Sequence, residues 1–218
     1  MKSRYDIHVH TDVSDGKHAP EEVLEKAKER GIEVVSITDH GKLEGTVQAF
    51  QNSNGIEVIP GMEFTAGIAN EMFHILGYFK EVPDIDFSFH EDMSFQREGE
   101  IYRKITDYTG FGNRIWKKEV EQARNILEEI DRNNGVSVLA HPNELNLSGR
   151  GLDRFVGKLE GFGLDGIEIY NAKHDRDNAK LYNRLADKHD LLRTSGTDFH
   201  GHFNELGENM MEEKMLKN

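Results

Sequence analysis

The chain has 218 residues, of which 40 are acidic, 27 are basic and none is cysteine, so its net charge is −13. This length predicts one domain with a sizeable core, and the lack of thiols excludes disulfides and thiolate catalysis. The acidity argues against a protein that grips duplex nucleic acid, because such proteins carry a basic face that displaces counterions.

The first predicted elements are a strand over residues 5–10 and a helix that Pro20 opens and Gly31 ends. The strand begins so early that it leaves no room for a signal peptide. No apolar run reaches the roughly 20 residues that span a bilayer. We therefore expect a cytoplasmic protein that does not enter membranes.

The chain continues as an alternation of strand and helix patterns. The clearest helix is a stripe of apolar residues with 4,3,4,3 spacing that runs from Trp116 to Ile130. Two further helices are predicted over residues 152–159 and 177–189. The other six strands are predicted over residues 34–38, 57–64, 73–79, 136–140, 166–170 and 192–196.

This alternation predicts an α/β fold, namely a distorted seven-stranded (β/α)7 TIM-like barrel with its functional site at the carboxyl ends of the strands. We expect a single barrel domain over residues 1–203. Within it, residues 81–113 are irregular and rich in charge, Gly and Phe, which indicates a rim or lid. Residues 204–218 form an acidic C-terminal tail.

Six short clusters of metal-ligand residues follow the apolar runs. Alternate residues of a strand share one face, so His8 and His10 can bind one metal together, as can Asp198 and His200. Imidazole and carboxylate ligands without thiolate suit zinc, manganese, iron or magnesium at a hydrolytic centre. The clusters are His8 and His10 with Asp15, Asp39 with His40, Glu63, His74, His141, and Asp198 with His200.

Seven segments of the chain resemble motifs of the polymerase-and-histidinol-phosphatase (PHP) family, and the likeness covers roughly residues 5–202. The resemblance implies a distorted seven-stranded barrel with a trinuclear metal centre and phosphoesterase activity. The segments are DIHVHTDVSDG (6–16), SITDH (36–40), IPGMEFTA (59–66), HILGY (74–78), LAHP (139–142), GIEIYN (166–171) and SGTDFHG (195–201).

The resemblance also assigns nine metal ligands by position. Glu63 suits a bridging role because a carboxylate has one oxygen for each of two ions, and Asp39 is expected to orient a ligand or cap a helix. The nine are divided among three metals: His8, His10, Glu63 and Asp198 for the first, Glu63 again with His74 and His141 for the second, and Asp15, His40 and His200 for the third.

Hydrolysis of a phosphate ester needs a nucleophile, a counter-charge for the equatorial oxygens and help for the leaving group. Two neighbouring metals can share a hydroxide as nucleophile, and a third can hold a phosphoryl oxygen. We expect two to three divalent or trivalent ions of zinc, manganese or iron. Through these ions, Glu63, Asp198 and His200 are expected to act in catalysis.

Cations in the loops after the fifth and sixth predicted strands are candidates for contacting the substrate phosphate: Arg150, Lys173 and His174.

The sequence therefore predicts a metal-dependent phosphoesterase that hydrolyses a small phosphomonoester by attack of a metal-bridging hydroxide. The substrate would be a nucleotide or a compound like histidinol phosphate. Three alternatives are a short-oligonucleotide exonuclease, an amidohydrolase that cleaves C–N bonds, and a metal-binding module without enzymatic activity. The expected partner is a small phosphorylated substrate, not duplex nucleic acid or a membrane, and the oligomeric state stays open.

Overall fold

The computed structural model describes residues 4–68, 71–85, 115–145, 147, 149–202 and 205–207. In these residues the chain forms eight strands and five α-helices. The strands are β1 (Tyr5–Val9), β2 (Val34–Ile37), β3 (Glu57–Val58), β4 (Gly61–Ile68), β5 (Glu71–Tyr78), β6 (Val136–Leu139), β7 (Gly166–Tyr170) and β8 (Leu192–Ser195). The helices are α1 (Pro20–Glu29), α2 (Glu44–Gln51), α3 (Ile115–Arg132), α4 (Arg150–Glu160) and α5 (Arg176–Lys188), with a short 3-10 turn over Pro142–Glu144.

The described strands form two sheets, one in the order β1-β2-β3 and one in the order β4-β5-β6-β7-β8. The first sheet is parallel. In the second sheet, β5 runs antiparallel to both β4 and β6, and the remaining neighbours are parallel. The α/β class is confirmed. The distorted seven-stranded TIM-like barrel is not confirmed, because the described residues form eight strands in two separate sheets, one parallel and one mixed.

The predicted third strand, over residues 57–64, is divided by Pro60. Before the proline, the Ile59 N–H donates to the Val35 carbonyl oxygen at 2.9 Å and so ends the first sheet. Proline has no N–H with which to continue that ladder. From Gly61 onward the chain pairs with β5 in the second sheet. The proline thus marks the residue at which the chain changes sheets.

Two short backbone bridges link the sheets at one end. Val9 pairs with Phe199, and His40 pairs with Glu63, both in parallel orientation. The His10 N–H donates to the Phe199 carbonyl at 2.9 Å, and the Gly41 N–H donates to the Glu63 carbonyl at 2.9 Å. These bridges bring the segments that follow β1, β2 and β8 to one place beside β4.

Each sheet has an apolar core of its own, and a third, smaller cluster packs Leu76 and Val138 of the larger sheet against Ile7 of β1. The larger core lies between the five-stranded sheet and helices α3, α4 and α5, and it includes the fully buried Ile126, Val156 and Tyr182. The smaller core lies under α1 and α2 and includes Val23 and Leu206. Fully burying such a side chain contributes about 1.5–3 kcal/mol. Leu206 belongs to the predicted tail, so residues 205–207 pack against the domain.

Two sequence-based predictions concern segments of which little is described. The predicted rim or lid over residues 81–113 lies outside the described residues from 86 onward, and the tail does so from 208 onward. No helix in the described residues is both long and apolar enough to cross a bilayer.

Candidate metal centre

Strand β1 and the segment directly after it place two buried histidines side by side. His8 and His10 are both fully buried, and the Asp198 N–H donates to the His8 carbonyl at 2.9 Å, which brings the segment after β8 alongside. His8 Nε2 and His10 Nε2 lie 3.4 and 3.2 Å from Asp198 Oδ1. The same nitrogens lie 3.4 and 3.0 Å from Glu63 Oε2. Two imidazoles and two carboxylates therefore converge on one point.

Glu63 divides its two oxygens between two groups of imidazoles. It is fully buried on β4. Its Oε1 lies 3.1 Å from both His74 Nδ1 and His141 Nε2. Its Oε2 faces His40 Nδ1 at 3.4 Å, in addition to His8 and His10. This is the arrangement expected of a carboxylate that bridges two cations.

A third group surrounds Asp15, in the loop after β1. Asp15 Oδ2 lies 3.2 Å from His200 Nε2 and 3.8 Å from His40 Nε2. Asp15 Oδ1 lies 3.5 Å from His10 Nδ1, and the rings of His10 and His200 stack with centroids 4.1 Å apart. His10 therefore stands between this group and the group around Asp198.

All nine predicted ligand positions lie in this one cluster. Their possible ligand atoms fall into sets whose members lie within 4.8 Å of one another. The expectation that nearly every cluster follows a strand end is wrong for His8, Glu63 and His74, which are interior residues of β1, β4 and β5. The sets are His8, His10, Glu63 and Asp198; His10, Asp15, His40 and His200; His40, Glu63 and His74; and His74, His141 and Glu144.

The donor atoms fit a bound cation. In the described part of the chain, His8 Nε2, both ring nitrogens of His10 and Glu63 Oε2 are buried without a hydrogen bond. These atoms lie 3.0–3.5 Å from opposite ligand atoms without forming hydrogen bonds, and a buried polar atom without a hydrogen bond costs about 1–3 kcal/mol, so a shared cation would satisfy them. Imidazole nitrogens and carboxylate oxygens without thiolate suit zinc, manganese or iron. The residues present therefore match a metal centre.

The charges of the cluster depend on one another. Burial raises the pKa of Glu63, but the surrounding histidines hold it well below its usual range. Burial alone would lower the pKa of His10, yet Asp198 and Glu63 raise it to about 9. Burial likewise lowers the pKa of His141, but Glu144 and Glu63 raise it to about 10. Protons on imidazoles thus balance the carboxylates here, and a metal would displace those protons.

Glu168 on β7 connects two of the histidines from behind. It is fully buried, and its Oε1 lies 3.1 Å from His8 Nδ1. Its Oε2 accepts hydrogen bonds from the His141 N–H at 2.9 Å and from Asn171 Nδ2 at 3.1 Å. A carboxylate on the remote nitrogen fixes the tautomer and ring orientation of a ligating histidine. Sequence reasoning gave Glu168 no role, although an acid within an otherwise apolar strand is a usable signal.

Asp39 holds the loop that carries Asp15. Its Oδ1 accepts from the Thr11 N–H at 2.8 Å and from Ser14 Oγ at 2.5 Å. Its Oδ2 accepts from Thr11 Oγ1 at 2.6 Å. Of the two roles expected for Asp39, the geometry matches the orientation of a neighbouring ligand.

The sequence profile of the PHP domain matches residues 6–216. The chain belongs to the PHP domain family. The resemblance carried by the sequence motifs is thereby confirmed, and the chain is a metal-dependent hydrolase of phosphoester bonds.

Individual relatives of this PHP domain act on different phosphoesters. A 5'-3' exoribonuclease from Haemophilus influenzae is 24% identical, over 96% of this chain and 95% of that protein. A 3',5'-nucleoside bisphosphate phosphatase from Chromobacterium violaceum is 21% identical, over 89% of this chain and 86% of that protein. The fold is similar to that of a crystal structure of a Bifidobacterium adolescentis protein, with a TM-score of 0.73 and 22% identity, over 100% of this chain and 95% of that chain.

Of the three cations predicted to contact substrate, the structure brings one to the centre of the PHP domain. Lys173 Nζ lies 2.8 Å from Asp198 Oδ2. His174 donates from Nδ1 to the Ile169 carbonyl at 2.9 Å and packs its ring against Tyr182. Arg150 begins α4, is exposed, and makes no hydrogen bond or ion pair with the cluster among the described residues.

Proposed function

We propose that this PHP domain hydrolyses a small phosphomonoester, a nucleotide or a compound like histidinol phosphate, with two or three divalent or trivalent ions held by its nine clustered ligands. The division of the Glu63 oxygens between two groups of imidazoles carries the proposal, because a buried carboxylate in that position serves two adjacent cations. Such a pair of cations is suited to phosphoester hydrolysis.

The proposed ligands fall into three sets that follow the observed distances. When bound, the ions supply Lewis acidity to the phosphoryl oxygens and lower the pKa of coordinated water. The metals are zinc, manganese or iron, since these ligands select weakly among them. The proposed sets are His8, His10, Glu63 and Asp198; Glu63, His74 and His141; and Asp15, His40 and His200.

The exposure of the ligands indicates where the substrate enters. The side chains of His8, His10 and Glu63 are 0% exposed, whereas those of Asp15 and His200 are 31% and 25% exposed. The phosphate therefore approaches on the side of Asp15 and His200. The buried ligands face it from below and exclude bulk water from the centre.

Two observations favour a small substrate over a polymer. The net charge of −13 repels a long phosphate backbone, and Lys173, the cation at the centre, is already engaged by two carboxylates. The similarity to a nucleoside bisphosphate phosphatase supports a nucleotide substrate. The similarity to an exoribonuclease supports a second candidate, the trimming of short oligonucleotides.

The experiment is a substrate panel with metal-loaded protein. Nucleoside monophosphates, a 3',5'-bisphosphate, histidinol phosphate, a dinucleotide, longer RNA and an amide would be compared by kcat/KM. We expect a phosphomonoester to be turned over at least as well as any polymer, and the amide to be inert. Preference for RNA ends would instead favour the exonuclease, and amide cleavage would refute the phosphoesterase proposal.

A further inference from the structure

A chain of ion pairs at the rim of the centre joins two proposed ligands that follow different strands. Lys173, in the loop after β7, places Nζ 2.8 Å from Asp198 Oδ2 and 2.5 Å from Glu144 Oε1. The other oxygen of Glu144 lies 3.1 Å from His141 Nδ1. The contacts run without interruption from His141 through Glu144 and Lys173 to Asp198.

These contacts use the ligand atoms that face away from the centre. His141 directs Nε2 at Glu63 and Nδ1 at Glu144. Asp198 directs Oδ1 at His10 and Oδ2 at Lys173. An Nδ1–H donated to Glu144 leaves the Nε2 lone pair of His141 directed at the centre, as metal ligation requires. Lys173 likewise fixes the carboxylate plane of Asp198.

The two ends of this chain have unusual backbone. His141 has φ of 21° and Asp198 has φ of 56°, a region that side chains other than glycine rarely adopt. The other non-glycine residues with positive φ in the described part of the chain are an Asp and two Asn in turns. Such conformations persist where surrounding contacts hold them. Lys173 and Glu144 supply contacts of that kind at both positions.

We propose that Lys173 and Glu144 are positioning residues that hold His141 and Asp198 in ligand geometry, so that two of the metal positions depend on one ion-pair chain. The inference rests on the proposed metal site. It gives Lys173 a role in metal binding, in place of the phosphate contact that the sequence predicted.

Metal affinity tests this role without any substrate. Chelator-stripped protein would be titrated with Mn²⁺ and with Zn²⁺ by calorimetry. Lys173→Met and Glu144→Gln should each weaken binding about 10-fold or more, the effect typical of removing a residue that orients a ligand. Lys173→Arg should retain most of the affinity, because a guanidinium can pair with both carboxylates.

The double variant tests whether the two residues act through one chain. Lys173→Met with Glu144→Gln should lose little more affinity than the worse single variant, because either change already breaks the chain. The control is Lys188→Met, which removes a lysine paired with Asp153 at the opposite end of α5 and should bind metal like the wild type.

Two outcomes would overturn the inference. Unchanged metal affinity in both single variants, with KM raised by Lys173→Met, would make Lys173 a phosphate-binding residue. Fully additive losses in the double variant would show that the residues act separately. If the wild-type protein bound neither metal, the proposed metal site itself would fail, and that result is distinguishable because it does not involve the variants.

Discussion

At the scale of single residues, the surroundings of Glu63 explain how a carboxylate is kept charged inside the fold. Five imidazoles lie within 3.4 Å of its two oxygens. Attraction to His74, His40 and His8 outweighs the burial that disfavours the ionised form of Glu63, so its pKa stays low. A cation at this position would be attracted by the negative charge of the Glu63 carboxylate. A neutral side chain of the same shape would not supply that attraction.

Replacing Glu63 by Gln tests this point, because the shape is kept and the charge is lost. We expect Glu63→Gln to lower kcat/KM on the best phosphomonoester by at least about 100-fold. Removing a residue that only orients a metal ligand already costs up to about 100-fold, and Glu63 is itself a proposed ligand. The far-UV circular dichroism should be unchanged. Glu25→Gln, an exposed position on α1, is the matched control and should act like the wild type. Wild-type turnover by Glu63→Gln would show that the centre is assigned to the wrong residues.

The sequence predicted the clustered ligand positions better than it predicted the residues that contact and orient those ligands. His8 and His10 alternate along the predicted first strand, and local periodicity places such residues on a known face. The roles of Glu168 and Glu144 follow from contacts with His8 and His141, which come from other parts of the chain. An acid in an apolar strand marks Glu168 as unusual, but no local pattern records which distant residue it contacts, so sequence reasoning could not assign either role.

At the scale of elements, strand positions were predictable and strand directions were not. Alternation of apolar residues located β5, but the same period describes a parallel or an antiparallel strand. Helix α2 (Glu44–Gln51) was missed because it is short and its apolar residues form no long stripe. The long helices were found because burial against a sheet imposes a 3.6-residue period over several turns.

Gly196 sets how closely the segment after β8 approaches β1. A Cβ at this position would lie 2.3 Å from the Cβ of His8 and 2.7 Å from its backbone nitrogen. We therefore expect Gly196→Ala to destabilise the fold by about 1–3 kcal/mol through overpacking, measured by urea denaturation.

Gly151→Ala is the matched control for this substitution. Gly151 lies in α4, and its nearest neighbour to an added Cβ would be a Leu147 side-chain carbon at 3.7 Å. This change should be neutral or stabilising, because alanine favours a helix by up to about 1 kcal/mol over glycine. Equal effects of the two substitutions would contradict the close approach at Gly196.

At the scale of the whole molecule, the net charge of −13 sets how polymers are bound. A protein that neutralises many phosphates of a single strand loses affinity with a log–log salt slope near −0.7 per contact. We expect a slope of about −1 to −2 here, since few cations of the described residues contact the clustered ligands. The measurement is kcat/KM against oligonucleotide length at two salt concentrations. Efficiency that climbs steadily with length, together with a steep slope, would contradict the preference for small substrates.

Metal loading is expected to stabilise the entire fold. A ligand that binds only the folded state adds about 2.7 kcal/mol per site at a hundredfold excess over Kd. Thermal denaturation of chelator-stripped protein with increasing Mn²⁺ should therefore show a rising Tm. The rise should be smaller for Glu63→Gln and unchanged for Glu25→Gln. A Tm that does not respond to metal would speak against binding at this centre.

The cluster draws its side chains from both sheets, and this affects how the molecule opens. His8 lies in the three-stranded sheet and His10 directly follows its strand β1, whereas Glu63 and His74 come from the five-stranded sheet. An ion held by both groups is a cross-link that exists only while the sheets stay together. Separating the smaller sheet from the larger one would then also break the metal ligation, which raises the free energy of that local opening. In the loaded enzyme the amide protons of the two sheets would exchange with solvent as one cooperative unit.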